Sequence, residues 1–470
     1  MFFFIHFAKI FYFKLKDLPL IGKLLKLIAH KFSLNYIKTT QEELNKISPS
    51  FCKAKWLQST LHLELGETHS CHHNPRHSID INKVSQDLNA LHNTTQKIQA
   101  RQEMINGVRP KDCDYCWKIE DHGSLSDRVF KSSEEWASLD AKTLTNYQNV
   151  FNILPKYLEV SFSSQCNLKC AYCDPLVSSS IRKEIEIHGP YPTSQNFQRI
   201  ESKDPVDSQK FASYFWRWWP ELKSHLHTLR VTGGEPFLSS DFDHLLSVLS
   251  QDHLPHLNLS LNSNLMVSPL KIENGIKIIK NSIEEGRLKD FHLYPSIDTW
   301  GKHAEFLRWG LSIKKFSENI ELCLRLYPKI KMTFLITFQA LSIFNYQQLL
   351  EYVLDLRRRF PHAEIKVGAS LLRHPDFLSI NLLPKSMEPK FLEIISFMQE
   401  HRLSSKYKSG FSPFEITRFE RICIDFMATP DRPTQVGSDF MVFIKEFEKR
   451  KNIHFEDYFD LKMIGDLMLK

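Results

Sequence analysis

The chain lacks an uninterrupted apolar run at its start. Met1 to Phe13 is aromatic, but His6 and Lys9 break it, which excludes a bilayer span there. No small-residue cleavage site follows, so a secretory signal peptide is not expected. Blocks of like charge are missing as well. Lys and Arg number 61 against 54 Asp and Glu, a net charge of +7 over 470 residues. That mild excess, with no basic cluster and no RNA-binding module, argues against nucleic acid as the partner or substrate. No internal repeat is visible. Cysteines are few, nine in all, and odd in number. Seven of them fall in two metal-like groups, which excludes a disulfide scaffold and points to a reducing, cytoplasmic compartment. The other two, Cys323 and Cys423, have no partner at metal-ligand spacing and read as small buried hydrophobes.

What is present fits a globular protein of two or three domains, with 42% hydrophobic and 24% charged residues. Residues 1–45 form a basic amphipathic segment, with Lys14, Lys16, Lys23, Lys26 and Lys31 among Leu and Ile. Two readings are open for residues 1–34: a helix packed on the protein itself, or one resting on a membrane surface. The count of 35 Phe and eight Trp is high. The stripe Phe215-Trp216-Arg217-Trp218-Trp219 belongs by type to a core or an interface.

The stretch that organises the chain is Cys166-Asn167-Leu168-Lys169-Cys170-Ala171-Tyr172-Cys173. It follows a strand-like run, Leu158 to Phe162. The spacing C-x3-C-x2-C turns three thiolates toward one soft metal centre. On a four-iron cluster three thiolates leave one iron without a protein ligand, and a closed zinc site would need a fourth donor nearby. A second stretch, Leu229-Arg230-Val231-Thr232-Gly233-Gly234-Glu235-Pro236, reads as a short buried strand ending in a tight turn. Glycine suits a backbone that approaches a ligand closely, and Glu235 supplies a charge opposite an ammonium.

The octapeptide, including Tyr172 before its last cysteine, resembles the signature of radical S-adenosylmethionine (radical SAM) enzymes, and the second stretch resembles that family's GGEP motif. The resemblance implies a 4Fe-4S cluster on Cys166, Cys170 and Cys173 whose open iron chelates S-adenosylmethionine. It also implies cofactor contacts from Tyr172, Gly233, Gly234 and Glu235. Tyr294-Pro295-Ser296-Ile297-Asp298 is similar to the family's S-x-D-G segment, with Thr299 in place of glycine. By position Asn262, Ser296, Asp298 and Arg308 contact cofactor or substrate; the alternative is helix capping by Asp298 and a surface ion pair for Arg308. The adenine-contacting segment maps to Thr337 through Ile343.

The second cysteine group comprises Cys52, Cys71, Cys113 and Cys116. A strand-like hairpin run, Leu61 to Gly66, and a polar helical stretch, Ile81 to Ile105, lie between them. By spacing alone such a set is most often a zinc site, though a second iron–sulfur cluster fits too. The segment resembles the twitch, or shortened SPASM-type, auxiliary-cluster domain, through Cys52, Trp56, Gly66, Cys71, Cys113, Cys116, Trp117, Glu120, Gly123, Ser126 and Arg128. Lys55 stands where that pattern has proline, and His72 replaces the second cysteine of a Cys-Cys pair. The run His69, His72, His73, His77 is either a solvated loop or a source of alternative ligands.

From Tyr157 on, six strand patterns (Leu158–Ser161, Thr228–Thr232, Leu257–Leu261, Phe291–Ile297, Met332–Phe338, Ile365–Leu371) alternate with helical ones. This predicts an α/β fold. Its centre is a partial (β/α)6 barrel over 150–385, with a small iron–sulfur domain over 46–145 before it and a helical appendage over 386–470 after it. Chemistry in such barrels sits at the C-terminal ends of strands. The polar stretch Ser178 to Ser208 is a lid or an insertion. The expected function is a radical SAM oxidoreductase acting on a peptide or small metabolite, with a second, auxiliary 4Fe-4S cluster as electron acceptor. It would draw electrons from a flavodoxin- or ferredoxin-like donor. The alternative is a non-catalytic zinc- or cluster-binding interaction protein.

Overall fold

The computed structural model describes residues 36–195, 197–198, 208–404, 409–428 and 434–460. The segment 1–34, part of the 178–208 stretch and the last ten residues lie outside the described residues. No described helix is long and apolar enough to cross a membrane. The chain divides into two compact units: one takes residues up to Leu61, Glu67–Leu158 and Tyr214–His227, the other His62–Gly66, Glu159–Ser213 and Thr228 onward.

In the first unit, β1 (Gln58–His62), β2 (Glu67–His69) and β3 (His77–Ser78) lie side by side in that order. The strand expected at Leu61–Gly66 begins earlier and ends sooner. Leu63–Leu65 is a 3-10 turn closed by Gly66 at φ 61°, a left-handed conformation that favours glycine. The leucines alternate through both elements, so the pattern alone does not mark where the strand stops.

The helix expected over Ile81–Ile105 is broken into α1 (Ile81–Gln86), a 3-10 turn at Leu88–Leu91, and α2 (Thr95–Ile105). Asp80, Asp87 and Thr94 each accept hydrogen bonds from backbone N–H groups just downstream, starting a new element every time. Then come α3 (Asp114–Asp121) and α4 (Asp127–Ser132). The core gathers Phe51, Trp56, Met104, Trp117 and Trp136, with Cys113 and Cys116 among them. From the helix Ser208–Leu222, Phe215 and Trp218 are buried, and Trp218 Nε1 donates to Asn89 Oδ1 at 2.7 Å.

The second unit is built on a parallel sheet. Its strands are β4 (Tyr157–Ser161), β6 (Thr228–Thr232), β7 (Leu254–Ser263), β8 (Leu288–Pro295), β10 (Lys331–Phe338) and β11 (Glu364–Leu371), neighbours in that order. The pairings from β6 to β11 are all parallel. Helices fill the crossovers: α5 (Ser179–His188) before β6, then α6 (Ser240–Leu249), α7 (Pro269–Glu284), α8 (Gly301–Leu307), α9 (Ile313–Leu326) and α10 (Tyr346–Arg359). The result is the expected α/β fold. On β10 Met332, Phe334, Ile336 and Phe338 are fully buried in strict alternation. Each such side chain contributes roughly 1.5–3 kcal/mol by burial.

A short ribbon stands apart from this sheet: β5 (Lys169–Cys170) runs antiparallel to β9 (Arg308–Trp309). The C-terminal helices α11 (Glu388–Glu400), α12 (Pro413–Ala428) and α13 (Thr434–Lys451) belong to the same unit as the sheet. Buried Glu415 of α12 accepts from Arg357 Nη2 at 2.5 Å and from Val367 N at 2.9 Å, which fixes the appendage to α10 and β11.

Candidate functional site

The cysteine loop leaves the end of β4 and runs directly against the turn that ends β6. Gly234 N donates to Ser163 O at 3.0 Å, and Glu235 N to Gln165 O at 2.7 Å. A Cβ on Gly234 would lie 2.2 Å from Gln165 O; one on Gly233, at φ +119°, would lie 2.6 Å from Ser163 O. Both glycines are therefore required by the protein's own cysteine loop, a nearer cause than the ligand approach expected from the sequence. Replacing Gly234 by Ala must push the loop away. The expected cost is about 3 kcal/mol, at the upper end for overpacking, read as a lower thermal midpoint together with iron loss on gel filtration.

The loop is tied down along its length. Cys166 N donates to Ser179 Oγ at 3.1 Å, and the Ser180 hydroxyl donates to Cys166 O. Ala171 N donates to Leu307 O at 2.8 Å, and Cys170 lies opposite Arg308 in the β5–β9 ribbon. Glu64 accepts from the Ser164 hydroxyl at 2.7 Å and from Arg182 at 3.2 Å, a brace contributed from far upstream.

Two side chains donate toward the sulfurs, Asn264 Nδ2 to Cys166 Sγ and Arg308 Nη1 to Cys170 Sγ, both at 3.9 Å. Burial pushes the Cys170 thiol up to about 12 and raises Cys166 and Cys173 as well. For Cys173 the next cause after burial is the charge of Cys170 and then of Cys166, so the three sulfurs share one neighbourhood. Buried thiols of this kind stay protonated until a metal takes the place of the protons. This donor set fits an iron–sulfur cluster: three thiols in one neighbourhood, with polar hydrogens already aimed at two of them.

The other expected site residues have defined partners. Glu235 is buried, and its carboxyl accepts from Ser263 Oγ (2.8 Å), Phe237 N (3.2 Å) and Asn264 N (2.7 Å). Burial lifts its pKa to about 7, against the pull of these three donors. Asn262 Oδ1 accepts from Arg230 Nε at 3.0 Å. Ser296 is half-buried, and its N donates to Ser263 O at 2.9 Å.

Tyr172, Asp298 and Arg308 bond to one another. Asp298 accepts from Tyr172 OH (2.8 Å), Arg308 Nε (3.0 Å), Arg308 Nη2 (2.9 Å) and Thr337 N (3.0 Å). These four bonds fill the acceptor capacity of one carboxylate. Asp298 is therefore not a helix cap, and Arg308 is a buried partner, not a surface one. Asn264, Glu64 and Ser179 are site residues that reasoning from sequence missed. Only the place of Asn264, just past a strand end, marked it in advance.

In the first unit Cys52, Cys71, Cys113 and Cys116 line one cleft with about 450 Å³ of atom-free space, part of it open to solvent. Burial raises the Cys52 thiol, with the charges of Cys116, Cys113 and Cys71 adding to it, and lifts Cys116 to about 11. Asn74 Nδ2 donates to Cys113 Sγ at 3.5 Å. No three of these sulfurs lie within 4.8 Å of one another. A tetrahedral zinc site would hold them about 3.8 Å apart, so the cleft suits a larger group.

The residues around this cleft show why their spacing matters. Arg128 is buried and donates to both carboxylate oxygens of Glu120 (2.8 and 3.0 Å) and to Phe51 O (2.9 Å). Ser126 Oγ donates to Glu120 at 2.5 Å, Trp117 Nε1 donates to Pro110 O at 2.9 Å, and Gly123 turns at φ 74°. These contacts fix the Cys113/Cys116 segment beside Cys52. His72 lies on the lip of the cleft with its side chain 61% exposed.

Comparison with known proteins finds two GTP 3′,8-cyclases. That of Sulfurovum sp. (strain NBC37-1) is 23% identical over 166 residues, 34% of this chain and 44% of the relative. That of Nautilia profundicola (strain ATCC BAA-1463 / DSM 18972 / AmH) is 31% identical over 108 residues, 23% of this chain and 27% of the relative. The chain spans less than half the length of these curated relatives. No family model matches. Among solved structures, Streptococcus suis SuiB bound to S-adenosylmethionine is 14% identical with a TM-score of 0.34, covering 73% of this chain and 69% of that one. The cysteine octapeptide, the glycine turn packed against it and the stretches shared with the cyclases together support a likeness of this chain to the radical SAM enzymes.

Proposed function

We propose that the protein cleaves S-adenosylmethionine reductively at the Cys166/Cys170/Cys173 loop and uses the product radical to oxidise or otherwise modify a peptide or small metabolite. The observation that carries this reading is the backbone clamp between the cysteine loop and the Gly233-Gly234-Glu235 turn. When bound, a 4Fe-4S cluster supplies the electron that splits the cofactor into methionine and a 5′-deoxyadenosyl radical. The chain holds the sulfurs, and Asn264 and Arg308 donate to two of them; such bonds to sulfur tune a cluster's potential. The electron must come from outside, which implies a flavodoxin- or ferredoxin-like donor.

Cys52, Cys71, Cys113 and Cys116 would hold a second, auxiliary 4Fe-4S cluster. Four sulfurs leave no open iron, which suits electron transfer over substrate chelation and favours net oxidation. The separation of the sulfurs supports a cluster over a single zinc ion. GTP, the nucleotide in the relatives' names, falls within the small-metabolite class.

The test is a Mössbauer and elemental count on anaerobically reconstituted protein. About eight irons per chain are expected, in two four-iron clusters. About four irons would remove the auxiliary cluster from the reading. A colourless zinc protein would overturn the whole of it in favour of an interaction module.

A further inference from the structure

We infer that His72, His73 and Asp127 form a separate site for one divalent d-block cation of the Zn2+ class, on the lip of the auxiliary cleft. Of the four histidines in this stretch, His69 and His77 bond away from Asp127. His69 Nδ1 bonds to Cys71 O at 2.7 Å, and His77 Nε2 pairs with Thr94 Oγ1 at 2.8 Å. His72 and His73 converge on Asp127. Their Nε2 atoms lie 3.6 and 2.7 Å from the same carboxylate oxygen, and the three ligand atoms all fall within 4.8 Å of one another.

The imidazole rings stand 3.9 Å apart centroid to centroid, so one ion beside Asp127 would be within reach of all three groups. Two imidazole nitrogens and a carboxylate oxygen form a borderline donor set, which suits zinc with distances near 2.0–2.2 Å. The set is also held in place. His73 stacks on Tyr115 at 3.7 Å and 21°, and Asp127 is anchored at the first turn of α4. The exposed His72 leaves room for a water ligand. An ion here would pin the loop that carries Cys71 to α4. The inference rests on this geometry and not on the cluster reading.

Reconstituted protein would be dialysed anaerobically against chelator-buffered Zn2+, and bound zinc, iron and sulfide counted. One saturable zinc per chain is expected, with iron and sulfide unchanged. His72→Ala and Asp127→Asn, tested singly, should each lower bound zinc at fixed free Zn2+ by about tenfold or more, the scale on which even supporting contacts to a metal ligand act. His72 is exposed and Asn matches Asp in size, so both variants should fold. Zinc binding unchanged in both variants would overturn the inference. So would zinc gained only as iron is lost, which would place it on the cysteines.

Discussion

Replacing Cys166, Cys170 and Cys173 together by Ala is expected to reduce 5′-deoxyadenosine release from S-adenosylmethionine under dithionite to the buffer baseline. No other group of thiols lies in the second unit's site; Cys323 and Cys423 are isolated and buried among hydrophobic side chains. The three side chains are small, and the backbone bonds that hold the loop, from Gly234 N and Glu235 N, do not involve sulfur. The variant should therefore fold, and any iron held by the first unit's cysteines should be unchanged from the parent protein. Anaerobic turnover read by chromatography, with an iron count on the same sample, checks both halves. Persistent release would show that these three residues are not the cluster ligands.

The second large effect is expected at Arg308. Its guanidinium is buried, makes two bonds to Asp298, donates to the Tyr172 hydroxyl at 2.7 Å and reaches Cys170 Sγ. Arg308→Met leaves the Asp298 charge uncompensated in the interior, which typically costs about 3–5 kcal/mol. Asp298→Asn in the same chain should recover part of that loss, because neither partner then carries a charge. The thermal midpoints of the single and double variants measure this coupling. Losing a donor to sulfur should also make the cluster harder to reduce, seen as a more negative midpoint in an EPR-monitored titration. A stable Arg308→Met would remove the buried-triad account. A stability loss with an unmoved potential would leave Arg308 as a brace only.

Much of the second unit was legible because its strands are buried in a simple alternation. Thr228–Thr232 matches the observed strand residue for residue, and Met332–Phe338 differs by one. The first unit was harder to read. Its punctuation comes from single capping side chains, Asp80, Asp87 and Thr94, inside a run whose polarity otherwise looks continuous.

Within the site, the cysteines and the glycine turn were visible because their spacing is local. The network around them was not. Asn264 meets Cys166 across 98 residues, Arg308 meets Cys170 across 138, and Glu64 meets Ser164 across 100. Nothing in a local pattern announces such pairs; only the sheet order brings them together. The glycines were noticed for the right conformational reason, but the surface they accommodate is the chain's own backbone.

The seam between Ser163–Gln165 and Gly233–Glu235 joins two neighbouring strand ends into a single mechanical part. Neither half can be lengthened, shortened or re-aimed without dragging the other, so variation that leaves this seam intact must be placed at other strand ends of the sheet. The cysteine loop and the glycine turn thus move as one piece.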